Sequence, residues 1–185
     1  QSDSLTTVLP ADAIGRFPDP NIAEAMQRVS GVGIQRDQGE GRYVNVRGAP
    51  AEFSAISVDG VALAAVDPTT RAIDLDTIPS DIVSNIKVTK TLLPSQAADS
   101  ISGAIDTTPR SAFDSRGFAL NASAGASHND FGGNDMRGSL AVSNLFGADQ
   151  QFGVLLSGSY SKTNRKPENA ENVWEVVDRP EGGEV

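Results

Sequence analysis

Three segments in the second half of the chain alternate apolar with small polar residues over about ten positions each, the length of a strand that crosses an outer membrane. "FALNASAGAS" sets Phe118, Leu120, Ala122, Ala124 and Ala126 on one face and Ala119, Asn121, Ser123, Gly125 and Ser127 on the other. "MRGSLAVSN" and "FGVLLSGSYSKT" repeat the design, the last with Phe152, Val154, Leu156 and Tyr160 opposed to Gly153, Leu155, Ser157, Ser159 and Ser161. A soluble antiparallel sheet with one buried face also alternates. Here, however, the second face is so rich in glycine and serine that it cannot fill a core to native density. The pattern favours barrel strands with lipid on one side and a polar lumen on the other.

The remaining composition narrows function mostly by exclusion. The 185 residues suffice for one domain with a core, or for a domain and a piece of another. A net charge of −9 argues against a nucleic-acid partner, which calls for a basic face. Without cysteine the chain has no disulfide, thiolate metal site or cysteine nucleophile. The single histidine, His128, lies in the loop-like "GASHNDFGGND" and reads as a surface residue, so no Ser-His-Asp constellation is expected and the chain is not read as an enzyme. No run approaches the ~20 apolar residues of a membrane helix. Neither cofactor nor metal is expected: Asp74, Asp76 and Asp81 in "DLDTIPSD" lack the glycine turn and final glutamate of a calcium loop. The start at Gln1, without a basic-then-apolar leader, reads as a processed or trimmed product.

The first half reads as a small mixed α/β unit. After "RFPDPN", Asn21 can cap a helix with Glu24 reaching back in a capping box, Asp19 with Pro20 being a rival start. Ile22, Ala25, Met26 and Val29 form one apolar face and Gly31 ends the helix. "YVNVRG" alternates as a half-buried strand. "AISVDGVAL" places Asp59-Gly60 between two strands as a hairpin turn. "TIPSDIVSNIKVTK" predicts a short helix from about Pro79, with Asp81 in its first turn, and then a strand with Ile86 and Val88 facing inward. Between the helix and "YVNVRG" lies a loop crowded with charge, "RDQGEGR".

Taken in order, "FPDPNIAEAMQRVSGVGI", "RDQGEGRYVNVRG", "VDGVAL" and "DLDTIPSDIVSNIKVTKTLLPSQAADSISGAIDTTPRSAF" resemble the plug domain of TonB-dependent outer-membrane receptors, over about residues 12 to 115. The barrel-like strands follow where that family has them. The resemblance implies an α+β plug domain, a small mixed sheet with short helices, over residues 1–114. Residues 115–185 would be the first three antiparallel transmembrane strands and the start of an extracellular loop, a fragment of a plugged barrel of about 22 strands. It implies a receptor in the outer membrane of a Gram-negative bacterium, in contact with outer-membrane lipid and with the remainder of its barrel. Such a receptor binds a scarce nutrient, an oligosaccharide or a siderophore, outside the cell. The TonB complex of the inner membrane then drives a plug rearrangement that passes the nutrient to the periplasm.

By the same resemblance, three loops are expected at the extracellular apex. They offer Arg36, Asp37, Gln38, Glu40 and Arg42 from the first, Glu52 and Phe53 from "APAEFS", and Asp67, Thr70 and Arg71 from "AVDPTTRA" as ligand-binding residues. Gly39 and Gly41 let the first loop turn tightly. Arg47 and Lys90 stand where the family places basic residues that pair with barrel glutamates. The hairpin "HNDFGGND" would be extracellular and "LFGADQQ" a periplasmic turn. Three departures accompany the match: the TonB-contacting box lies outside this stretch, Ser102 and Asp106 replace a usual glycine and asparagine, and three strands cannot close a barrel. Two other readings are a truncated plug-bearing signalling or interaction module and a soluble α/β enzyme using "GEG" as a phosphate loop. The latter is disfavoured because the loop runs from strand to strand.

Overall fold

The computed structural model describes residues 5–14, 19–37, 39–92, 100–130 and 133–164. Its core forms around one short helix, α2 (Ile22–Met26), preceded by strand β1 (Thr6–Pro10) and a helical turn α1 (Ala11–Ile14). Ile22, Ala25, Met26 and Val29, the predicted apolar face, are all buried. The capping box is only half formed. Asn21 Oδ1 accepts the Glu24 N–H at 3.0 Å, but the Glu24 carboxylate turns away from the cap to the following hairpin. Gly31, at φ +75, then reverses the chain as its position predicts.

That hairpin, β2 (Val32–Asp37) and β3 (Glu40–Val46), is a two-stranded sheet of its own. Val44 and Val46 point into the core, as the alternation in "YVNVRG" requires. Five more strands make a mixed sheet: β1, β4 (Ser54–Val58), β5 (Val61–Ala62), β6 (Val83–Thr89) and β7 (Gly103–Pro109), ordered β1-β6-β7-β4-β5. All pairs are antiparallel except β4 with β7. The hairpin turn at Asp59-Gly60 has both residues at positive φ, 51 and 78, the conformation this pair was expected to supply. Ile86, Val88 and Ile105 are fully buried in the middle strands.

The helix expected from Pro79 is instead a single 3-10 turn, Ser80–Ile82, after which β6 begins at once. Val83 and the alternating Ile86 and Val88 are pulled into the sheet, and burying these branched residues on a pleated surface outweighs the helical start signal. At the departures noted in β7, Ser102 is buried with its hydroxyl 2.9 Å from that of Ser54. The Asp106 carboxylate accepts the Ser57 hydroxyl and the Gly60 N–H, so it holds the hairpin turn.

A 3-10 turn at Ala112–Asp114, closed by a full capping box with Ser111, leads into three long antiparallel strands. These are β8 (Ala119–Asn129), β9 (Gly133–Phe146) and β10 (Phe152–Lys162), in the order β10-β9-β8. Their apolar face points outward: Phe118, Leu120, Leu140, Phe152, Val154, Leu156 and Tyr160 are exposed. The small polar face turns to the plug sheet, where Asn121 and Ser143 share a cleft of about 550 Å³ with Ser84, Asn85 and Arg110. Gly153 receives the 3-10 turn, since a side chain there would lie 2.8 Å from Ala112 Cβ.

Gly103 sits where β6 and β3 converge: a Cβ would stand 2.8 Å from the Thr89 carbonyl oxygen and 2.9 Å from Val46 Cγ1. Gly60 has open space around its Cβ position and only its positive φ to restrict it. Urea unfolding in detergent is therefore expected to show Gly103→Ala destabilised by about 1–3 kcal/mol, because backbone cannot yield as a side chain can. Gly60→Ala is expected to cost about 1 kcal/mol, from conformation alone.

Candidate functional site

The three charged loops converge through named contacts. In the β2–β3 hairpin, Arg42 sends Nη1 to Asp37 Oδ2 at 2.7 Å and Nε to Asp74 Oδ1, joining the hairpin to the 67–76 segment. The backbone repeats that junction, the Leu75 N–H donating to the Arg42 carbonyl at 2.9 Å. Arg42 also lies over the Tyr43 ring, 5.1 Å from its centroid. Arg36 donates to Glu24 Oε2 at 2.8 Å and to Gln27 Oε1 at 3.2 Å, so it is tied to α2. The segment that follows β5 is linked in turn to the 51–53 turn, because the Thr70 hydroxyl donates to Glu52 Oε1 at 3.0 Å.

Each polarised group has a local cause. Its hydrogen bonds to Asp74 and then Asp37 hold the Arg42 guanidinium more firmly protonated than usual. Burial pushes the Tyr43 phenol up, and the negative charge of Asp74 pushes it further. Asp67 is pulled below the ordinary carboxylate value by the Thr69 hydroxyl and then the Thr69 N–H, which donate at 2.6 and 2.8 Å. The charge of Arg42 lowers Asp67 a little further, which places the first and third loops within one field.

Most of the expected ligand residues are thus neighbours. Arg36, Asp37 and Arg42 form one set, and Glu52 and Thr70 form a second, linked to the first through the 67–76 segment. Arg71 is exposed and lines a groove of about 240 Å³ with Glu52 and Thr70. Phe53 is 42 % exposed and its carbonyl accepts the N–H groups of Ile101 and Ser102. Glu40 opposes Asp37 at the hairpin end, and Gln38 lies outside the described residues. Gly39, at φ +85, makes the turn as expected. Gly41 has a different use: its hypothetical Cβ would lie 3.0 Å from Glu24 Oε1, so it allows close approach to the helix.

Arg47 and Lys90 form a separate pair away from these loops. Arg47 Nη1 donates to the Lys90 carbonyl at 3.1 Å, and Lys90 Nζ to the Thr7 hydroxyl at 3.2 Å. Neither has a carboxylate within ion-pair distance among the described residues. Arg47 is also held at φ +59, a conformation that costs a residue with a Cβ about 1–2 kcal/mol.

The fold and this cluster can now be set beside known proteins. The TonB-dependent Receptor Plug Domain family matches residues 1–104. The chain belongs to that family. Among curated proteins, none matches the sequence. Solved structures share the fold. A mutant of the ferric enterobactin receptor of Pseudomonas aeruginosa superposes with TM-score 0.64 at 20% identity, over 85% of this chain and 24% of that one. The siderophore receptor PirA of Acinetobacter baumannii gives 0.63 at 20% identity, over 86% and 25%. The ferric citrate transporter FecA in its unliganded form gives 0.66 at 16% identity, over 86% and 26%. This plug protein therefore spans about a quarter of the length of these receptors.

Asp74, Tyr43 and Glu24 organise the plug's loop cluster but were not expected there. The sequence offers Asp74 only as a metal ligand and Glu24 only as a cap, because their partners lie 32 and 17 residues away along the chain. Removing Arg42 would leave Asp74, whose side chain is 11% exposed, without its counter-charge. Arg42→Ala is expected to lower unfolding stability by about 1–3 kcal/mol. Asp37→Ala, at an open site, is expected to cost below about 1 kcal/mol.

Because its folded value is depressed, Asp67 contributes stability that is present above the ordinary carboxylate range. That contribution is lost as pH falls through the folded value. A Thr69→Ala variant, followed by NMR titration of Asp67, should move the carboxylate back up towards its ordinary value. An unchanged titration would show that the Thr69 hydroxyl is not the cause.

Proposed function

We propose that the chain supplies the plug, residues 1–114, and the first barrel strands, residues 115–185, of a TonB-dependent receptor in the outer membrane of a Gram-negative bacterium. The receptor binds a scarce small-molecule nutrient outside the cell, and the TonB complex drives its release to the periplasm by rearranging the plug. The observation that carries this reading is the convergence of three charged loops at one end of the plug sheet. β4 and β7 both leave that end, and β7 reaches Pro109 at the other, from which the chain enters the barrel strands. A ligand held by the loops and an exit towards the start of β8 lie at opposite ends of one sheet.

The exposed apolar face of β8–β10 supports contact with outer-membrane lipid. The solved relatives are named for ferric enterobactin, siderophores and ferric citrate, which supports a small-molecule cargo. Arg47 and Lys90 are the plug's share of the charge pairing with barrel carboxylates. Two cations with no described counter-charge, one in a strained conformation, are what such a pairing would leave on the plug side.

Uptake by cells expressing the full receptor is expected to need both TonB and the loops. Arg71→Glu should reduce uptake of the cognate nutrient several-fold at unchanged outer-membrane abundance, and loss of TonB should abolish it. Uptake that persists without TonB would remove the energised-transport reading, and unaltered uptake in Arg71→Glu would remove Arg71 from the site.

A further inference from the structure

Asp59-Gly60 is the chain's one Asp-Gly pair, and the sequence holds no Asn-Gly. An Asp-Gly pair is open to a spontaneous change, because glycine has no side chain to shield its nitrogen from the preceding carboxyl carbon. The turn between β4 and β5 leaves it unshielded. Both residues are exposed, and the space where a Gly60 Cβ would stand is open. The change begins with a ring closure in which the Gly60 nitrogen attacks Cγ of the protonated Asp59 carboxyl. An N–C bond forms, the C–O bond to the hydroxyl breaks, and that hydroxyl leaves as water with the amide proton. Water then opens the resulting succinimide. Addition at Cγ restores aspartate, whereas addition at the backbone carbonyl carbon leaves the chain running through Cγ as isoaspartate, with an extra methylene in the backbone.

Two hydrogen bonds to β7 oppose the first step. The Asp59 N–H donates to the Thr107 carbonyl at 2.9 Å, and the Gly60 N–H donates to Asp106 Oδ1 at 2.9 Å. The half-buried Asp106 carboxylate is aimed by the Ser57 hydroxyl, which donates to the same oxygen. An anion that accepts the Gly60 proton keeps it on the nitrogen, since a deprotonated amide would set a second negative charge beside the first. The same bond pins the peptide unit whose rotation brings the nitrogen onto Asp59 Cγ. We propose that Asp59-Gly60 is a latent isoaspartate-forming site and that Asp106 is the residue that keeps it unmodified. An extra methylene here would lengthen the turn, put Val61 and Ala62 out of register with Val58 and Ser57, and displace the 62–65 segment that follows.

The test is the isoaspartate content at Asp59 in the full receptor in detergent, aged for weeks at physiological pH and temperature. Peptide mapping with electron-transfer fragmentation separates isoaspartate from aspartate at each position. Asp106→Ala is expected to accumulate it about tenfold faster than the native protein, the factor by which losing one hydrogen bond to a charged group raises the population of the open turn. Asp106→Asn, which keeps an acceptor without the charge, is expected to fall between the two. Asp114-Ser115 is the internal control, and its isoaspartate is expected to stay at the native level in both variants. Equal rates at Asp59 in the native protein and Asp106→Ala overturn the proposal, and so does a faster native rate, which would make Asp106 a base for the reaction. If Asp106→Ala raises Asp114 as well, general unfolding is the cause and Asp106→Asn decides: a rise at Asp59 alone supports the guarding role, and no rise overturns it.

Discussion

Both polar groups of the Gly41 backbone are taken by the first turn of one helix. Its N–H donates to the Glu24 carboxylate at 2.9 Å and its carbonyl accepts from Asn21 Nδ2 at 3.0 Å. The β2–β3 hairpin shares no ladder with the main sheet, so its position depends on this pair of hydrogen bonds, on the burial of Val44 and Val46 and on the links of Arg42 to the 67–76 segment. A Cβ at residue 41 would crowd Glu24, and loss of Glu24 would leave Arg36 with Gln27 alone. The hairpin's charged end is set where Arg42 can reach Asp74 because the helix is capped where it is. The site therefore depends on a core element more than on the loops that carry it.

The other end of the plug is held by different means. The 3-10 turn at Ala112–Asp114 seats against Gly153, while the clefts along the seam between sheet and strands are lined mostly by small and polar residues, serine and alanine with Asn85, Asn121, Arg110, Asp12, Asp81 and Asp114. Small hydroxyl residues leave room for water and make few close apolar contacts, so separating the two surfaces costs less than opening a packed core. The same small residues made the segments unfit for a soluble core when read as sequence.

How far the sequence could be read varies from element to element. The helix face, the Asp59-Gly60 turn and the outward apolar face of β8–β10 follow from local periodicity and turn chemistry, which need no partner to be recognised. The Pro79 helix failed because a good start signal was overruled by the pull of Val83, Ile86 and Val88 into a sheet. The second half of the capping box failed for a related reason, since Glu24 finds stronger donors across the fold than at its own cap. For the site, the right loops could be named, yet Asp74, Tyr43 and Glu24 could not, because their importance lies in contacts between distant stretches.

By itself, then, the sequence determined the periods, the turns, the excess of acid and the absence of cysteine, all properties carried by neighbouring residues. Only the tertiary structure decided which arginines are free. The same seven letters, "RDQGEGR", could describe an open cationic loop or a neutralised one. The outcome rests on whether carboxylates from residues 24 and 74 arrive within hydrogen-bond distance. Electrostatic energy falls with distance in space and takes no account of separation along the chain.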